Sequence, residues 1–246
     1  MKTTTLRNRV PHLVMVVLMF LGMMTAASTQ AQAAAAQQVA AAGATICSNA
    51  PIPTGWVITW SYSSSSCPGT GVAYNIADTS GQTAMGGVCS MSPIPAGWVI
   101  TWSYSSNTCA GTGVAYNINN TANQTSMGGV CSMSPIPAGW VITWSYSTNS
   151  CAGTGVAYTI NNTANQTSMG GVCSMSPIPA GWVVTWSYST NSCAGTGVAY
   201  SIYKLTNQTT AEVCSFSPIP AGWVITDTHS SGSCYGSGRA YYIRKA

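Results

Sequence analysis

The stretch GWVITWSYS at residues 55–63 recurs unchanged at 97–105 and 139–147, returns as GWVVTWSYS at 181–189, and reads GWVITDTHS at 222–230. The copies start 42 residues apart and, in the last step, 41. Such a period denotes one short unit used five times, so the fold is that of the unit together with the way neighbouring units meet. Within the first copy Trp56, Ile58, Trp60 and Tyr62 alternate with Val57, Thr59 and Ser61. That is the period of two expected of a strand with one face buried. A second strand is expected at Val72, Tyr74 and Ile76. Pro53-Thr54-Gly55 sets a tight turn into the first strand, with Pro at the second turn position and Gly at the fourth. Gly86-Gly87 and its copies open a short segment leading to the next Cys, a candidate third strand. The repeats show no helical periodicity, so the predicted class is all-β.

Ten cysteines lie at 47/67, 89/109, 131/151, 173/193 and 214/234, each pair 20 residues apart. A regular, even set of this kind reads as disulfides of an oxidising compartment. Pairing within a repeat leaves no Cys over, whereas pairing each second Cys with the next first Cys strands Cys47 and Cys234. Within-repeat pairing is therefore preferred. The C-x2–4-C spacing of zinc sites is absent, and no metal or other cofactor is expected. Repeats are drawn at 46–87, 88–129, 130–171, 172–212 and 213–246, behind an Ala/Gln leader at 34–45.

Residues 1–33 have the make-up of a secretory signal: Lys2, Arg7 and Arg9, an apolar run from Val10 to Met24, then Ala31-Gln32-Ala33. Its Ala-rich character suggests bacterial export, to the periplasm, the cell surface or the medium. No later stretch approaches the about 20 apolar residues of a membrane-spanning helix. Cleavage removes three of seven basic residues, and the remaining four against three acids leave a net charge of +1. Nothing here supports nucleic-acid binding. Between Asp78 and Lys204 there is no charged residue at all, so little repulsion keeps copies apart and self-association is a real prospect.

The two end repeats depart from the middle three in opposite ways. Trp60 and Tyr62, Trp102 and Tyr104, Trp144 and Tyr146, and Trp186 and Tyr188 are matched in the last repeat by Asp227 and His229. Met91, Met133, Met175 and Phe216 are matched in the first by Asn49. This is what an open stack requires if each Met or Phe packs on the Trp/Tyr pair of the repeat before it. Polar replacements then cap the two ends, as in solenoids. The expected architecture is five disulfide-stapled units stacked as an open, solenoid-like rod; a five-bladed propeller and independent beads are the alternatives.

Candidates for chemistry are few. Asp227 and His229 share a strand face and Ser is plentiful, but there is no G-x-S-x-G elbow, and no enzyme is expected. The G-T-G of residues 69–71 lacks the Lys and the helix of a phosphate loop and reads as a turn. The motif C-S-x-S-P-I-P-x-G-W-V-I-T, with a second Cys and a closing A-Y-x-I, resembles short paired-Cys repeats of exported bacterial proteins. That resemblance covers residues 46–243, implies export and carries no site residues. The reading that remains is adhesion or extracellular assembly, with the protein itself or a surface glycan as partner. A multivalent carbohydrate-binding module is the alternative, since Trp and Tyr stack on sugar rings while Asn and Thr bond hydroxyls. A small hydrolase using His229 is a remote third.

Overall fold

The computed structural model describes residues 43–246, and the repeat body is the compact unit Ile46–Ala246. The signal sequence and most of the leader lie outside the described residues. Fifteen strands form five separate three-stranded sheets, and there is no helix among the described residues. The first sheet contains β1 (Ala44–Cys47), β2 (Trp56–Ser63) and β3 (Val72–Asp78); the second β4 (Ala84–Cys89), β5 (Trp98–Ser105) and β6 (Val114–Asn120). The third contains β7 (Ser126–Cys131), β8 (Trp140–Ser147) and β9 (Val156–Asn162), and the fourth β10 (Ser168–Cys173), β11 (Trp182–Ser189) and β12 (Val198–Lys204). The last is β13 (Thr210–Cys214), β14 (Trp223–Ser230) and β15 (Arg239–Lys245).

In every sheet the last strand in sequence lies in the middle. In the second sheet β6 runs antiparallel to both β4 and β5, and the three later sheets repeat this arrangement. The segment opened by Gly86-Gly87 is thus an edge strand of the sheet that follows it. A period has no natural starting point, and hydrogen bonding starts the second unit at Ala84, four residues before the boundary drawn at residue 88.

The turn into β5 closes with the Trp98 N–H donating to the Pro95 carbonyl at 3.0 Å. Pro therefore occupies the first position and Gly97, at φ 79°, the third. That is a type II turn, whose third position calls for positive φ, and it corrects the placement expected from the Pro-x-Gly spacing.

All five disulfides join cysteines of the same repeat: 47–67, 89–109, 131–151, 173–193 and 214–234. They are not staples inside isolated beads. Cys131 and Cys151 are fully buried in one cluster with Trp98, Ile100 and Ile118 of the second unit and Val57 of the first. Cys173 and Cys193 stand in the same relation to Trp140, Ile142 and Ile160, and Cys214 and Cys234 to Trp182, Val184 and Ile202. Each of these three disulfides is thus part of the core formed with the preceding unit. Burying a side chain as large as Trp98 is worth about 1.5–3 kcal/mol or more. Stacking therefore supplies a core that 42 residues alone do not.

Polar contacts tie the same junctions. The Ile58 N–H donates to Ser92 Oγ at 2.8 Å, and Ser92 Oγ in turn donates to the Pro93 carbonyl at 3.2 Å. Ser134, Ser176 and Ser217 accept in the same way from Ile100, Ile142 and Val184. Farther along each strand the Ser61 N–H donates to the Thr108 carbonyl at 2.9 Å and its hydroxyl to the Ala110 carbonyl at 2.7 Å. Ser103, Ser145 and Ser187 repeat both bonds with the unit that follows.

The array is open. Val57, Val99, Val141 and Val183 are fully buried, but their counterpart Val224 is 43 % exposed, and Ile225 is 47 % exposed where Ile58, Ile100, Ile142 and Val184 are buried. A closed propeller would cover both.

Candidate functional site

The strict alternation expected along GWVITWSYS breaks at its fifth residue. Ile100 faces Ile118 across the sheet and Trp102 faces Asn117, which leaves Thr101 as an extra residue, and the same bulge occurs at Thr59, Thr143, Thr185 and Thr226. A bulge turns the following side chains to the other face. Val99 and Ile100, adjacent in sequence, are both buried under the following unit, as their counterparts Val57 and Ile58 are in the first unit, whereas Val224 and Ile225 of the last are exposed. Beyond the bulge Ser103 is buried against the next unit and Trp102 turns outward.

Two sets of tryptophans result from one motif. Trp98, Trp140 and Trp182 are buried, while Trp60, Trp102, Trp144 and Trp186 are 49–56 % exposed. Trp60 meets Tyr62 edge to face, with ring centroids 5.7 Å apart. Tyr62 and Tyr104 are half-buried, and Tyr146 and Tyr188 are slightly more exposed.

The sulfur-bearing residues lie elsewhere. Met133 packs on the cluster of Trp98, Ile118 and Tyr116, and Met175 on that of Trp140, Ile160 and Tyr158. Phe216 stacks on Tyr200 with centroids 5.1 Å apart. Burial pushes the Tyr200 hydroxyl above its usual range, partly offset by a bond with Ser174. These partners sit on the unit before, at the inner Trp and the central-strand Tyr, and Met91 is half-buried at the corresponding place in the second unit. Asn49, where the first unit has no predecessor, is exposed.

Beside Trp102 lies a shallow cavity of about 280 Å³, whose walls are Met85 and Gly86 of β4, Thr101 and Trp102 of β5, and Asn117 and Asn119 of β6. Thr101 Oγ1 donates to Asn119 Oδ1 at 2.8 Å, which orients that amide. In the third unit the Asn161 amide donates to Thr143 Oγ1, also at 2.8 Å. Asn119 also lines a second groove of about 440 Å³ with Asn120, Asn123 and Gln124. Asn123 and Gln124 continue into a third, about 540 Å³, with Asn161, Asn165 and Gln166. The three depressions share lining residues and form one uncharged, amide-rich track.

The last unit is built differently at this place. Asp227 turns its carboxylate to the Thr228 N–H at 2.7 Å. The His229 ring stacks on Tyr242 at 4.4 Å, and its Nε2 lies 3.1 Å from Glu212 Oε1. Asp227 and His229, the pair that suggested a hydrolytic dyad, thus have separate partners. Among the described residues no group of three His, Cys, Asp or Glu side chains is placed to hold a metal ion, and no helix is long and apolar enough to cross a membrane.

The sequence singled out the outer aromatics but missed Gly86, Asn117 and Asn119. For Gly86 the signal was present as the Met-Gly-Gly that recurs ahead of Cys89, Cys131 and Cys173. No protein-family model, curated protein or solved structure matches the chain.

Proposed function

We propose that the protein is a non-catalytic adhesion or assembly array that works outside the cytoplasm. Five disulfides fit an oxidising compartment. The observation that carries the reading is the row of Trp60, Trp102, Trp144 and Trp186. They are half-exposed in four consecutive units while their sister tryptophans, four residues earlier in each copy, lie in or against the stacked cores. Large aromatics held open at fixed intervals on a rigid frame are contact points, because a side chain of that size gains most by covering itself. The stretch from Ala84 to Tyr203 has no charge to repel either a surface or another copy. Weak identical contacts repeated along one frame give avidity that no single contact has.

The test uses the purified mature chain. Retention on the producing cells, or sedimentation that grows heavier with protein concentration, is the expected result, and loss of it on replacing the four outer tryptophans ties it to the row. A chain that stays monomeric at all concentrations and is not retained overturns the proposal.

A further inference from the structure

The cavity beside Trp102 is made by a missing side chain. A Cβ on Gly86 would lie 3.1 Å from Asn117 Oδ1, a tight contact that the amide would have to yield to. Gly87, at φ 72°, lets β4 bulge between Met85 and Val88 so that the bare backbone faces the central strand. Trp102 stands directly across from Asn117, so one slot has an aromatic wall, an amide floor and a glycine opening. The same positions hold Gly128, Thr159 and Trp144 in the third unit and Gly170, Ser201 and Trp186 in the fourth, where a Cβ on the glycine would stand 3.8 Å from the Thr159 or Ser201 hydroxyl, an ordinary contact. The cross-strand residue changes identity among the three and in each case keeps a group that both donates and accepts hydrogen bonds.

The last unit removes all the parts together while keeping its core. Val213, Cys214, Cys234, Ala240 and Ile243 are as buried as their counterparts. Yet the Gly-Gly pair is replaced by the single residue Glu212, the bulge in that edge strand disappears, the Trp is Asp227, and the cross-strand polar group is Tyr242. Glu212, His229 and Tyr242 then pack on one another over that face. The first unit keeps Trp60 and Asn75 but has Ala44-Thr45 in place of the two glycines. Features needed for stacking persist to the end of the array, whereas the slot is confined to the three middle units. A part that the fold can lose as a set without losing its core is not there for the fold.

We infer that the three slots at Trp102, Trp144 and Trp186 bind successive stretches of an uncharged glycan chain. The inference deepens the adhesion reading and rests on it. A pyranose ring offers one face of C–H groups, which covers the exposed indole, and an equatorial rim of hydroxyls, which both donate and accept and so match an amide or hydroxyl floor. No charged residue lies in the second or third unit, and near the slot at Trp186 the one cation is Lys204, so the row as a whole offers anionic polymers little to pair with. The amide-lined grooves that run on from Asn119 through Asn123 and Gln124 provide a path for the chain between one slot and the next.

The experiment titrates the full mature chain with hexasaccharides of glucose, mannose and N-acetylglucosamine, and with an anionic uronic-acid oligomer, following tryptophan fluorescence and amide resonances. At least one neutral oligomer shifts the signals of the slots and the anionic one does not. Each of Trp102→Ala, Trp144→Ala and Trp186→Ala weakens binding about threefold to tenfold, and the triple variant loses it. The set Gly86→Ala, Gly128→Val and Gly170→Val puts side-chain atoms into the slots without touching a tryptophan and is expected to have the same effect. Binding that survives both sets, or no response to any neutral oligomer, overturns the inference. In either of those cases retention on cells that still depends on the tryptophans leaves adhesion standing, with a ligand other than a sugar.

Discussion

The carboxylate of Asp227 accepts the main-chain N–H of Thr228 at 2.7 Å, where the equivalent N–H of Ser61, Ser103, Ser145 and Ser187 reaches across to a carbonyl of the following unit. The fifth unit is uncovered on that side, and an edge N–H left without a partner is both a loss of stability and an invitation to pair with another chain. Asp227 therefore explains why the last copy of the motif abandons its Trp: the replacement supplies from within the strand the acceptor that a neighbour supplies elsewhere. Asp227→Ala exposes that N–H to solvent, and hydrogen exchange at Thr228 is expected to speed up. Asp227→Asn, which keeps a side-chain oxygen, is expected to retain most of the protection. Equal exchange rates in all three proteins would refute the capping role.

The opposite end is relieved of its duties in a complementary way. Ser92, Ser134, Ser176 and Ser217 each receive a main-chain N–H from the unit before, and the first unit has Ala50 at that position. Pro68 likewise replaces Ala110, whose N–H donates to the Ser61 carbonyl at 3.4 Å, and proline has no N–H to give. Ser134→Ala leaves the buried Ile100 N–H unpaired, and the expected cost is about 1–3 kcal/mol. Ala50→Ser gains no partner and is expected to change stability by less than about 0.5 kcal/mol. Urea unfolding of both variants reads the difference directly, and a Ser134→Ala protein as stable as the parent would show that water replaces the hydroxyl.

Much of this architecture is written in the repeats themselves, because a position that faces a neighbour changes character where the neighbour is missing. Asn49 and Asp227 are legible on that ground, and the even spacing of 20 makes within-repeat disulfides the economical pairing. The bulge at Thr101 is not legible. Local alternation predicts Ile100 and Trp102 on one face, and nothing in the spacing of the motif marks Thr101 as an extra residue. The destination of Met133 is half legible for the same reason. That it leans on the preceding unit follows from the pattern of ends, but that it meets the cluster of Trp98 and Tyr116 depends on which face the bulge turns outward. The slots escape sequence reading because their defining part is an absent Cβ at Gly86, which periodicity arguments treat as a turn signal.

The five disulfides, chemically alike, are expected to differ in their response to reductant. The last four lie on the side of their unit that faces the preceding one, so Cys89–Cys109, Cys131–Cys151, Cys173–Cys193 and Cys214–Cys234 are sealed, with every cysteine at most 1 % exposed. Cys47 is only half-buried. Thiol–disulfide exchange needs in-line access to a sulfur. A short exposure to dithiothreitol followed by alkylation and peptide mass mapping is expected to label Cys47 and Cys67 first and the other eight together, at the rate of unfolding. Uniform labelling from the start would mean that the units separate readily in solution.

The sharpest contrast lies within a single copy of the motif, between Trp98 and Trp102. Trp98 is 4 % exposed in a cluster that includes residues of three units, whereas Trp102 is 49 % exposed beside its slot. Removing Trp98 opens a cavity in that shared core, and Trp98→Ala is expected to cost about 3–5 kcal/mol. Trp102→Ala removes surface that the fold has left uncovered, and its expected cost is below about 1 kcal/mol. In an array whose stability is a sum of units and junctions, the first change also uncouples the units on either side. Unfolding of Trp98→Ala is then expected to split into two transitions, while that of Trp102→Ala keeps the parental shape. If Trp102→Ala proves as damaging as Trp98→Ala, the outer tryptophans belong to the core, and both the adhesion row and the glycan slots lose their foundation.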